Sequence, residues 1–166
     1  MGRYRPPSKP SAPFITADGY KALSDEYAFL WQKKRPEVVK ALSAAAAEGD
    51  RSENAEYQYR RKQLGEIDRR IRFLKKRLPS LKVVSETPDD TDRIFFGAFI
   101  TLMNKDGLEF NYRIVGADEL DTKHNCITLD SPMAKSLLGK QIDDVVTVAA
   151  PSGTTEYEII DISYDQ

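Results

Sequence analysis

The sequence predicts an α+β protein in two parts: an N-terminal antiparallel α-helical coiled-coil hairpin, then a small antiparallel β-sheet domain with one short helix. Three observations predict it. Apolar residues recur at a 3/4 spacing on both sides of the polar stretch GDRSENAEYQY (49–59). After Pro79 that periodicity gives way to short runs of strand character. The two halves also carry opposite charge: residues 33–77 hold 14 Lys and Arg against 7 Asp and Glu, a net of +7, whereas residues 78–166 hold 7 against 16, a net of −9. An overall charge of −1 thus conceals two surfaces suited to different partners.

Residues 1–13 are proline-rich and lack the apolar core of a signal peptide, so they are expected to be an extended, mobile leader. The hairpin is expected over residues 14–80. Thr16 is placed to cap a helix beginning at Ala17. Its apolar seam runs through Tyr20, Leu23, Tyr27, Leu30, Val38 and Leu42, interrupted by Lys34. A second seam runs through Tyr57, Leu64, Ile67, Ile71, Leu74 and Leu78, interrupted by Arg60. The seams register as antiparallel partners, Leu30 opposite Ile71, Tyr27 opposite Leu74, Leu23 opposite Leu78 and Val38 opposite Leu64, which predicts a turn near residues 50–52. At 1.5 Å per residue, helices of roughly 30 residues give an arm of about 45 Å. Pro36 predicts a local irregularity in the first helix, and Gly65 weakens the second by about 1 kcal/mol relative to alanine.

Pro79 closes the hairpin, and residues 81–166 form the second domain. Strands are predicted over 93–104, 108–116, 124–130, 144–150 and 154–163. Lys105-Asp106-Gly107 and Pro151-Ser152-Gly153 read as hairpin turns. Residues 131–140 read as a short helix with Pro132 at its first position and Gly139 near its end.

Composition narrows the chemistry. One cysteine precludes an internal disulfide and suits a reducing compartment, so a cytoplasmic location is expected. A single histidine and a single cysteine cannot supply a structural zinc site. No glycine-rich phosphate loop occurs, and no apolar run is long enough to span a membrane. His124 and Cys126 alternate onto one strand face, where a packed pair is the simpler reading than a nucleophile and its base. The chain does not read as a complete enzyme.

The tip admits two readings. On residue types alone, Asp50 as N-cap with Glu53 three residues later forms a capping box, and Ser52 or Asn54 would cap equally well. A turn needs only one cap, however, and four polar candidates crowd there. Two carboxylates three residues apart also suit magnesium, which takes one or two protein carboxylates together with waters and substrate phosphates. On the second helix, Arg61, Lys62, Arg69, Arg72 and Lys76 fall in one sector about 100° wide, separate from the seam. Such a stripe is either a solvated face or a track for a phosphate backbone.

The runs YAFLWQKKRPEV, GDRSENAEYQY, EIDRRIRFL, FFGA, YRIVG and LDSPMAKSLLGK, in this order, resemble the bacterial transcript cleavage factor family GreA/GreB, and are most similar to its GreB branch. The match covers residues 14–164. The resemblance implies an FKBP-like fold for the second domain, which docks on RNA polymerase at the rim of its secondary channel. It implies that the coiled coil enters the channel, and that Asp50 and Glu53 help to hold a second Mg2+ so that the polymerase cleaves the extruded RNA 3′ end of a backtracked transcript. It makes Arg51, Ser52, Asn54 and Tyr57 supporting residues and the basic stripe an RNA guide. It makes Asp130, Ser131 and Pro132 polymerase contacts. The factor would act as a monomer, bind metal only jointly with the polymerase, and have no membrane partner. Two rivals stand beside it. One is a regulator that occupies the channel without promoting cleavage. The other is a prolyl isomerase, which the position of the only tryptophan, Trp31, in the arm disfavours.

Overall fold

A computed structural model describes residues 11–119 and 125–164. The expected mobile leader lies mostly outside the described residues, and so does His124. The chain divides into two units. Tyr20–Leu81 form one; the residues up to Gly19 and from Lys82 onward form the other.

The first unit is the helical hairpin. Helix α1 (Ala17–Phe29) runs through one π-helical turn (Leu30–Lys34) into α2 (Arg35–Ala46), and α3 (Ala55–Arg77) returns. The π-turn, closed by the Arg35 N–H donating to the Leu30 carbonyl, is the irregularity expected at Pro36. It lies just ahead of the residue that has no N–H to donate. Two α-turns take about 7.2 residues, yet the seam steps eight positions from Leu30 to Val38. The widened turn absorbs the surplus, which is why Lys34 interrupts the apolar pattern.

Val38, Ile67 and Ile71 form the buried seam, with Tyr27, Leu30 and Leu64 packed against it. Ion pairs between the helices show that they run antiparallel: Arg35 Nε lies 2.8 Å from Asp68, and Arg70 grips Glu26 through two bonds of 2.6 and 2.8 Å. Residues later in the first helix meet residues earlier in the second.

The other unit contains two sheets. The larger has the strand order β5-β4-β3-β7-β6, built from β3 (Phe99–Asn104), β4 (Glu109–Val115), β5 (Cys126–Thr128), β6 (Val145–Ala150) and β7 (Gly153–Ser163). The expectation of an antiparallel sheet needs one correction: β5 pairs with β4 in parallel, Arg113 opposite Cys126. A short helical segment at Ala117–Glu119, not a tight hairpin turn, follows β4, as a parallel pairing requires of a longer connection. Strand β3 also begins at Phe99 rather than at residue 93, because the chain turns at Gly97, whose φ of +86° ends extended backbone. A register shift between Thr101 and Leu102 marks a bulge against β7.

The core is Ile94, Ala98, Ile100, Leu102, Ile114, Val146 and Ile159, closed by Ala134 and Leu137 of the short helix α4 (Pro132–Leu137). Ile100 and Leu102 on β3, and Val146 and Val148 on β6, recur at alternate positions, which buries one face of the sheet.

The second sheet is a parallel pair, β1 (Phe14–Thr16) with β2 (Lys82–Val84), which the sequence analysis did not anticipate. Glu119 fastens it. Its carboxylate accepts the Thr16 N–H at 3.0 Å and the Gly116 N–H at 2.7 Å, and accepts a further bond from the Thr16 hydroxyl. Thr16 Oγ1 in turn accepts the Gly19 N–H at 3.1 Å, as expected of the cap of α1. A Cβ at Gly116 would lie 2.0 Å from the Phe14 carbonyl oxygen, so only glycine permits this approach.

Candidate functional site at the hairpin tip

Helix α2 ends where the Ala47 N–H shares the Ser43 and Ala44 carbonyls, and at Gly49 the backbone leaves helical space with φ +139°. Helix α3 starts at Ala55. Its cap is Asn54, whose Oδ1 accepts the Tyr57 N–H at 3.0 Å. The capping box built on Asp50 and Glu53 is therefore not adopted, because both precede the cap residue. Asn54 does more than cap. Its Nδ2 donates to the Ala45 carbonyl at 2.7 Å, so one amide satisfies a free donor of α3 and a terminal acceptor of α2. This clamp joins the two helix ends directly.

Freed from capping, Asp50 forms a local turn. Its Oδ1 accepts the Ser52 N–H at 2.9 Å and the Ser52 hydroxyl at 2.8 Å. These two bonds, the backbone one foremost, hold its carboxyl below the ordinary aspartate range. Among the described residues Oδ2 has no partner, and Glu53 is exposed with neither hydrogen bond nor ion pair. Both acids thus offer open carboxylate oxygens in the loop between α2 and α3.

Two further contacts stiffen the loop. The Arg51 guanidinium lies over the Tyr57 ring, 5.6 Å from its centroid, and Gln58 donates to the Arg51 carbonyl at 2.9 Å. Sequence reasoning named Arg51, Ser52, Asn54 and Tyr57 but missed Gln58, which stands one helical turn beyond the cap where its side chain reaches back.

The stripe residues Arg61, Lys62, Arg69, Arg72 and Lys76 are all exposed, and among the described residues none forms an ion pair. Neighbouring cations behave differently: Arg60 holds Glu56 at 2.8 Å, and Arg70 and Arg35 bridge to the opposite helix. Glu56, Glu26 and Asp68 thus pair with flanking cations, and no acid pairs with the stripe among the described residues.

In the sheet unit, the Ser131 hydroxyl caps α4 by accepting the Ala134 N–H at 3.2 Å, and Pro132 takes the first helical position. Asp130 Oδ2 accepts the Ala12 N–H at 3.2 Å. Asp130 and Pro132 are exposed. Cys126 is half-buried on β5.

Two family models match the chain, one described as transcription elongation factor, N-terminal, over residues 13–83, the other as transcription elongation factor, GreA/GreB, C-term, over residues 88–164. Among curated relatives, transcription elongation factor GreB of Pseudomonas aeruginosa is 51% identical over 164 residues, covering 99% of this chain and 98% of that protein. The GreB of Xanthomonas axonopodis pv. citri is 50% identical over 165 residues, covering 99% and 98%. That of Pasteurella multocida is 50% identical over 153 residues, covering 92% and 97%. A helical hairpin with an acid-bearing turn, a sheet unit behind it in sequence, and similarity along nearly the whole length agree: the chain belongs to the GreA/GreB family of transcription elongation factors.

Proposed function

We propose that this chain binds RNA polymerase through the secondary channel and stimulates the polymerase's own cleavage of the RNA 3′ end in backtracked complexes. The observation that carries the reading is the pair of open carboxylates, Asp50 and Glu53, in a loop whose capping needs Asn54 already meets.

The donor set fits magnesium. Both groups are hard oxygen donors, and magnesium takes one or two carboxylates beside waters and phosphates rather than an all-protein cage. In this reading the remaining ligands are waters and groups of the polymerase and the RNA. Bound there, the ion supplies charge stabilisation to the attacking and leaving oxygens of a phosphoryl displacement.

The chain's own residues prepare that arrangement. The Ser52 N–H and hydroxyl engage Asp50 Oδ1, favour its charged form and leave Oδ2 without a partner among the described residues. Asn54 and Gln58 fix the loop against the helix ends, and so limit the entropy lost when the tip is engaged. The uncompensated stripe draws the extruded RNA by releasing its counterions. Asp130 and Pro132, exposed on either side of the Ser131 cap of α4, are the polymerase contact in the sheet unit. The factor acts as a monomer in the cytoplasm.

Backtracked elongation complexes test this. Adding the chain is expected to shorten the transcript and release a 3′-terminal fragment. Slowed elongation with no fragment would instead identify a channel-occupying regulator.

A further inference from the structure

One groove of the hairpin is unexplained by the tip or by helix pairing. It is open, about 540 Å3 in volume, and lies where the apolar seam meets the stripe. Trp31 and Arg35 line it from the first helical strand of the hairpin, and Gly65, Arg69, Arg72 and Lys75 line it from α3. Trp31 is 54% exposed. Aromatic residues are enriched at binding surfaces relative to the rest of a protein surface.

Three features give the groove a preferred occupant. Arg35 stands over the Trp31 ring at 5.8 Å and is itself held by Asp68 at 2.8 Å, so the indole is braced without being covered. Arg69, Arg72 and Lys75 form no ion pair among the described residues, so four cations face a single lining carboxylate, Asp68. Gly65 leaves the floor open at the centre of the stripe; the nearest group to a methyl placed there is Arg69 Nη1, at 3.7 Å. An aromatic platform flanked by unpaired cations fits a single-stranded ribonucleotide, its base stacked and its phosphates held. A volume of this size accommodates one nucleotide.

We propose that this groove is a nucleotide subsite on the arm, in which a base of the extruded RNA stacks on Trp31 while Arg69, Arg72 and Lys75 hold the adjoining phosphates. The subsite rests on the reading of the stripe as an RNA track and deepens it: the track grips bases as well as phosphates, at a fixed distance from the tip. It therefore biases how far the RNA 3′ segment is drawn along the arm.

Because Trp31 is the only tryptophan in the chain, its own fluorescence is the probe. The full chain is titrated at low salt with a short oligouridylate and with an abasic ribose-phosphate oligomer of equal length. The oligouridylate is expected to quench the emission and to bind about tenfold more tightly than the abasic oligomer. Trp31→Ala should equalise the two affinities, read by anisotropy of labelled RNA, while Trp31→Phe retains most of the difference. Gly65→Leu, which fills the floor, should remove the quenching, with helicity checked by circular dichroism. Paired Arg69→Glu and Arg72→Glu changes should weaken both oligomers.

Equal affinities that still depend on Arg69 and Arg72 would overturn the subsite and leave the RNA track standing. Indifference of binding to both the bases and the arginines overturns the track and the subsite together. If Trp31→Ala leaves RNA binding unchanged but weakens binding to polymerase free of nucleic acid, the groove is a polymerase contact and the proposal fails.

Discussion

At the residue scale, the tip separates structural work from chemical work. Asn54 bonds both helix ends, so Asn54→Ala is expected to cost about 1–2 kcal/mol, measured as a lower midpoint of thermal or urea unfolding. Asn54→Asp keeps the acceptor for Tyr57 but loses the donor to Ala45, and should recover only part of that loss. Asp50 behaves differently. Its folded-state carboxyl titrates below the ordinary aspartate value because Ser52 bonds favour the charged form. The stability this contributes is present above the unfolded-state value and is lost as pH falls through the lower folded value. Carboxyl NMR titration should show the depressed midpoint. Ser52→Ala should move it part of the way back, because the stronger cause, the Ser52 backbone N–H, remains. A midpoint unchanged by that substitution would remove the hydroxyl from the tip's electrostatics.

At the scale of elements, α3 carries a glycine at a position that imposes no left-handed backbone and no clash. Gly65→Ala should therefore stabilise the hairpin by about 0.5–1 kcal/mol, visible as a raised unfolding midpoint. Ile71→Ala should act in the opposite sense, costing about 2–5 kcal/mol, since Ile71 lies in the seam with Val38 and Ile67.

The elements also show which parts of the structure the sequence could announce. The seam period, the antiparallel pairing of the two helices and the Pro36 irregularity were legible because each follows from apolar spacing or a missing N–H. The eight-residue step at Leu30–Val38 even carried the π-turn, though only as an interruption by Lys34. The β1–β2 pair was not legible: each strand has three residues, and its partner lies across the whole hairpin in sequence. Nor was the choice of cap. Ser52, Asn54 and Asp50 are equivalent by type, and the Ala45 carbonyl that selects Asn54 becomes available only when α2 and α3 meet. The direction of β5 was hidden for a related reason, because alternation is the same in parallel and antiparallel strands. The Trp31 groove needs residues from both helices, so a helical wheel of α3 alone shows the stripe and not the pocket.

At the scale of the whole molecule, charge is divided by role. The stripe cations of the hairpin form no ion pair among the described residues, whereas residues 78–166 carry the acidic surplus. If the stripe tracks RNA, binding of single-stranded RNA weakens with salt by roughly 0.7 log units in affinity per log unit of salt for each phosphate neutralised. Replacing Arg61 and Lys62 with glutamine should flatten that dependence by about 1.4 on the same scale, measured by anisotropy over a salt series. An unchanged slope would mean the cations are only solvated. The chain then has two separable tasks. One is to reach and hold the transcript; the other is to present two acids where the polymerase performs hydrolysis.

The second task is tested most directly by the rate of transcript cleavage in backtracked polymerase complexes, with binding to polymerase measured in parallel. Asp50→Asn and Glu53→Gln should each lower the stimulated rate by on the order of 100-fold, the usual loss when one preorganised charge-stabilising group is removed. Polymerase affinity and the unfolding midpoint should stay close to those of the unmodified chain, because neither residue caps a helix or holds the two helix ends together. Undiminished cleavage by both variants, at matched polymerase occupancy, would contradict the assignment of the tip carboxylates to the reaction.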